Sequence, residues 1–110
     1  MLTPIPASVL HSTLSVRVPI DGDYGGEYAE AQTIEGVRFE RAEALVRGGY
    51  VLTDGAKGLL FVDAVNSKGA FEIPAGSLLS IDGAEEATAG NVATFQGFNG
   101  EIHHWEIEVM

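Results

Sequence analysis

The chain has 110 residues and a mass of 11.6 kDa, room for one hydrophobic core, and its 45% apolar and 20% charged composition excludes wholesale disorder. Sixteen acidic against six basic side chains give a formal net charge of −10, which opposes sequence-general binding to a phosphate backbone. The absence of cysteine removes disulfide frameworks, thiolate metal sites and cysteine nucleophiles together.

The amino terminus, MLTPIPASVLHS, has no basic n-region and carries Pro4 and Pro6, so it does not read as a signal peptide. No apolar run approaches the roughly 20 residues that span a bilayer. The expectation is a soluble single domain over 1–110, with residues 1–10 as a flexible N-terminal arm and no membrane contact.

Alternation of apolar and polar residues begins at Leu14, Val16 and Val18, with Thr13, Ser15 and Arg17 on the other face, and predicts a half-buried strand. The DGDYGGEY stretch that follows reads as a loop or hairpin tip, because glycine tolerates positive φ and aspartate bonds its own backbone. From Tyr28 to Arg41 the alternation resumes, with Val37 and Phe39 on one face and Gly36 interrupting it as a bulge would. Residues 42–58 form a long excursion in which AEALVR fits either a helical turn or a strand. GLLFVDAV, at 58–65, is a compact run of β-formers that predicts a strand buried on both faces, the central strand of the fold.

A short strand is expected at 77–82, with Leu79 and Ile81 on one face and Asp82-Gly83 as its hairpin turn. The tip around Glu85 and Glu86 is expected to become a strand by Val92. Asn99-Gly100, between two β-rich runs, suits a two-residue type I′ turn. In the last strand His103, Trp105, Ile107 and Val109 share one face and Ile102, His104, Glu106 and Glu108 the other, with Trp105 as the core anchor. Short strands, many turns and no convincing amphipathic helix predict an all-β fold, a small antiparallel β-barrel or sandwich with a long loop excursion.

Chemistry has few places to sit. His103-His104 resembles a metal pair, yet neighbours on a strand point to opposite faces and cannot chelate one ion without a bulge; His11 is the only other histidine. Asp21, Asp23 and Glu27 lack the spacing and flanking helices of a calcium loop. The pairs Gly25-Gly26 and Gly48-Gly49 match neither phosphate-cradling motif, and the serines lack a nucleophile elbow. Glu85-Glu86 reads as a solvated tip. The six cations, Arg17, Arg38, Arg41, Arg47, Lys57 and Lys68, are too scattered to make a basic groove. The expectation is a non-enzyme with no catalytic residue, no metal and no cofactor, acting through contacts made by loops 19–27 and 42–57.

The closing stretch IDGAEEATAGNVATFQGFNGEIHHWEIEVM, and above all His103-His104-Trp105-Glu106-Ile107-Glu108-Val109, resembles the minor capsid proteins of Gram-positive tailed phages. Upstream, Val37-Arg38-Phe39-Glu40-Arg41, the turn-rich excursion and Leu60-Phe61-Val62-Asp63 follow in that family's order, so the likeness covers most of 11–110. The 42–57 excursion departs from it by being apolar and glycine-rich. The resemblance implies a structural virion protein at the head–tail junction, a head-completion (stopper) subunit. It would be made in the host cytoplasm and form a ring between the portal or adaptor and the tail-completion proteins. DNA would pass through that ring without sequence-specific binding. A tail-terminator-like protein and a stand-alone small barrel binding module are the alternatives.

Overall fold

Every run of alternating apolar residues becomes a wall segment of one closed barrel. The computed structural model describes residues 3–20 and 26–110. In chain order these contain a 3-10 turn (Ala7–Val9), β1 (Ser12–Arg17), β2 (Pro19–Ile20), β3 (Glu27–Tyr28), β4 (Gln32–Arg41), α1 (Ala42–Arg47), β5 (Gly58–Asp63), β6 (Leu78–Ile81), β7 (Ala87–Gln96) and β8 (Ile102–Val109). The six longer strands close antiparallel in the order β1, β4, β5, β8, β7, β6, and β2 pairs with β3 in a separate ribbon. Of barrel and sandwich, the structure is a barrel, which leaves its wall without an unpaired edge.

The register explains the core. Leu14 stands between Ile34 and Ile81, and Val62 between Val37 and Trp105, so apolar residues from neighbouring strands meet on the inside. Leu14, Val16, Ile34, Leu60 and Ile107 are fully excluded from solvent, each contributing about 1.5–3 kcal/mol relative to an exposed side chain. Trp105 is 5% exposed and sits in this cluster as expected. β5 is buried on both faces, as its unbroken apolar run predicts, because α1 packs against β4 and β5 from outside. No strand of a closed barrel is central, so β5 is distinguished by this double coverage and not by position.

Gly36 is the bulge residue. Ser12 faces Val37 while Thr13 faces Glu35, which leaves Gly36 as the extra residue at φ +82°, a conformation costly for other side chains.

Of its two expected forms AEALVR takes the helical one, α1, ended by Gly48 and anchored by the buried Leu45. The tip at Glu85 and Glu86 becomes a strand before Val92, as expected: β7 begins at Ala87, after a reversal within Ile81–Ala84 where the Ala84 N–H bonds the Ile81 carbonyl at 3.0 Å. Two local expectations are corrected. Asp82 and Gly83 have φ of 52° and 76°, so the double positive φ of a type I′ turn sits here. Asn99-Gly100 instead belongs to a three-residue loop. The Gly97 N–H bonds Glu101 O at 2.8 Å, the Gly100 N–H bonds Gly97 O at 3.2 Å, and Gly100 alone of residues 98–100 has positive φ. Glu101 Oε2 accepts the Asn99 N–H at 3.0 Å, and the carboxylate fills the space left by the missing side chain of Gly97, which holds the wider loop.

The second correction concerns the histidines. Phe95 faces His104 while Gln96 faces Ile102, so His103 is itself a bulge residue and the pair does not alternate as on a regular strand.

Candidate functional site

The barrel interior is packed, so function has to lie on the outer wall and at the ends. β5 runs from Gly58, paired with Arg41 and Val109, to Asp63, paired with His104; the antiparallel register therefore separates two ends. One end carries α1, the 48–57 loop and the Asp82–Glu86 tip. The other carries the β2–β3 ribbon, the 64–67 turn and the β7–β8 hairpin.

At the first end Val46, Tyr50 and Val51 are exposed, Val51 almost completely at 95%. At the second end Val65, Phe98 and Ile102 are exposed, Phe98 to 89%. Large apolar side chains held in water at a loop tip mark contact surfaces more often than stability elements. Of the loops expected to make contacts, 42–57 therefore carries exposed apolar groups. Of 19–27, residues 21–25, including Asp21, Asp23 and Gly25, lie outside the described residues.

Two segments lie on the wall and are fastened by buried or nearly buried carboxylates. Residues 3–10, the described part of the expected arm, run along the outside of β4 and β5. Asp63, fully buried, accepts the Ile5 N–H on Oδ1 at 2.9 Å and the Val65 and Asn66 N–H groups on Oδ2 at 2.9 and 2.7 Å. Asn66 Nδ2 returns a bond to the Ile5 carbonyl at 2.8 Å, and Arg38 reaches the Val9 carbonyl at 3.3 Å. The excursion is fastened by Glu108, an outward-facing residue only 8% exposed, which accepts the Thr53 N–H at 2.8 Å and the Thr53 hydroxyl at 2.7 Å. These bonds, the Thr53 backbone first, hold the Glu108 carboxyl below its ordinary pKa. Asp82 is lowered in the same way by the Thr13 N–H at 2.8 Å.

Sequence reasoning passed over Asp63 and Glu108. The spacing Asp63, Asn66, Ser67 after an apolar run carries an aspartate-turn signal that was available. Nothing local announces Glu108, because Thr53 is 55 residues away.

The histidines come together where alternation would separate them. Their Nδ1 atoms face each other at 2.7 Å; His103 Nε2 meets the Thr3 carbonyl at 2.7 Å and His104 Nε2 meets Glu106 Oε2 at 2.9 Å. His104 stacks on Phe95 with centroids 4.7 Å apart. His11 instead contacts the Ser8 carbonyl in its own turn. Among the described residues no three histidine, aspartate or glutamate side chains converge as metal ligands would. Glu85 and Glu86 are exposed, and Glu86 pairs with Arg17 at 3.7 Å.

Cavities on the wall are shallow. One of about 310 Å³ is lined by Ile5, Arg38, Glu40, Leu45, Tyr50 and Phe61, where Arg38 is already paired with Glu40. It offers no nucleophile with a base. No helix among the described residues is long and apolar enough to cross a membrane.

The arrangement is a closed barrel with exposed apolar side chains at two ends and fastened segments on its side. No curated protein and no solved structure matches the chain. Residues 7–109, however, match a family model described as minor capsid protein, and that span takes in the whole barrel: the chain belongs to the minor capsid protein family.

Proposed function

We propose that this minor capsid protein is a head-completion (stopper) subunit. It would form a ring at the head–tail junction, between the portal or adaptor and the tail-completion proteins. The observation that carries the reading is the placement of exposed apolar side chains at both ends of the barrel, Val46, Tyr50 and Val51 at one and Val65, Phe98 and Ile102 at the other. A subunit that sits between two different neighbours needs two separate contact surfaces, and a rigid closed barrel keeps them a fixed distance apart. The molecule extends 44 Å along its longest axis.

The net charge of −10 supports the same reading for the channel. A ring whose lumen is lined by carboxylates repels the phosphate backbone and lets DNA pass without sequence-specific binding. The family match favours a structural part over an enzyme.

The test is electron microscopy of particles assembled without this gene, with the DNA content of the heads assayed alongside. Separate tails beside heads that lose their DNA are expected. Filled, stable heads with tails of abnormal length would move the protein to the tail end, and complete infectious particles would remove it from the neck.

A further inference from the structure

We propose that His103 and His104 form a proton-dependent clasp, in which one extra proton shared by the pair holds the N-terminal segment against the barrel. A carbonyl oxygen only accepts, so His103 Nε2, 2.7 Å from Thr3 O, carries a hydrogen. A carboxylate only accepts, so His104 Nε2, 2.9 Å from Glu106 Oε2, carries one too. Two neutral imidazoles have spent both hydrogens on these bonds, and their Nδ1 lone pairs would then face each other at 2.7 Å. One further proton between the two Nδ1 atoms turns that repulsion into a charge-assisted bond. A second further proton would set two N–H groups against each other.

All three bonds therefore exist together in one protonation state, with a single positive charge on the pair. The groups around it are consistent with that state. Glu106 on β8 touches His104 directly, and Asp63 on β5 is the register partner of His104. Phe95 on β7 and Phe61 on β5 flank the ring with centroids at 4.7 and 6.5 Å and do not titrate. The bulge at His103 makes the device possible, since a regular strand would point the rings apart.

The clasp acts on a specific piece of chain. Thr3 lies two residues before Ile5, which is bonded to Asp63 and lines the wall cavity of about 310 Å³. Adding or removing a proton breaks one of the three bonds, and as the rings part the Thr3 contact and the segment leading to Ile5 loosen with them.

Amide exchange at Ile5, measured by NMR on the full chain from about pH 4 to about pH 9, tests this, with the imidazole nitrogens followed in the same samples. Protection at Ile5 is expected to pass through a maximum, about tenfold above either flank, where the nitrogens report one extra proton on the pair. In His103→Gln the side-chain amide still donates to Thr3 while the shared proton is gone. The maximum should vanish there. A flat or monotonic wild-type profile, full protection with both rings neutral, or an unchanged maximum in His103→Gln would each overturn the proposal.

Discussion

The N-terminal segment and the 42–57 excursion are two straps on the same barrel, and they are fastened differently. The first is held at several points. Asp63 takes the Ile5 amide, Asn66 the Ile5 carbonyl, Arg38 the Val9 carbonyl and His103 the Thr3 carbonyl. The second has backbone bonds at its base, Ala42 N–H to Lys57 O at 2.9 Å, and is fastened by side chains at Thr53, which Glu108 holds and Asn91 Nδ2 reaches at 3.4 Å. Its middle, with Val51 95% exposed, is tied down by nothing comparable. A strap fastened along its length covers the wall, whereas one fastened at its base and one further point presents its tip. The difference separates a segment that covers the wall from one that presents an exposed apolar tip.

The change that should release both straps together is Trp105→Ala, because it damages the wall on which they lie. Trp105 is 5% exposed and stands between Val62 and Thr94 in the ladder, so the loss is about 3–5 kcal/mol in urea denaturation. A loss well below that would mean that the core closes around the cavity. Its indole Nε1 finds no acceptor among the described residues, so Trp105→Phe should cost far less than the alanine variant.

Asp63→Ala should loosen the N-terminal strap and leave the excursion in place. It removes the buried acceptor of three part-buried N–H groups, those of Ile5, Val65 and Asn66, at about 2–3 kcal/mol. Amide exchange should rise across residues 3–10 and 63–67 while residues 50–56 keep their wild-type rates. Equal loosening of both straps would show that they are one cooperative unit.

The wall was legible in the sequence and the fastenings were not. Period-two alternation at Leu14-Val16, Val37-Phe39 and Trp105-Ile107-Val109 reports burial on one side, a property each strand carries by itself. The run at 58–63 likewise announced double burial. The β7 start at Ala87 was hidden because ATAGN holds small residues of weak β-propensity, and pairing with β8 makes it a strand. Asn99-Gly100 misled because the Glu101 carboxylate, not the dipeptide, decides the loop length. The histidine pair was hidden by the bulge, whose register depends on β7. The exposed tips were expected only as loops, since a sequence shows that Val51 or Phe98 is apolar and not that it stays in water.

The smallest effect belongs to the carboxylate that anchors the excursion. Glu108→Gln keeps one acceptor for Thr53 but sets an amide against the other donor, and the variant should lose about 1–2 kcal/mol near neutral pH. The pH dependence has a definite sign. The folded-state pKa of Glu108 lies below its ordinary value of about 4.5, so the contribution is complete above that value and is lost as pH falls through the lower, folded one. The stability gap between wild type and Glu108→Gln should therefore be constant from neutral pH down to about 4.5 and close below it, whatever the other carboxylates do, because they are common to both proteins. Exchange should rise at residues 50–56 and stay unchanged at Ile5. If it rises at Ile5 as well, the two straps share a fastening through the wall between them, and the division between a covering segment and one that presents its tip fails.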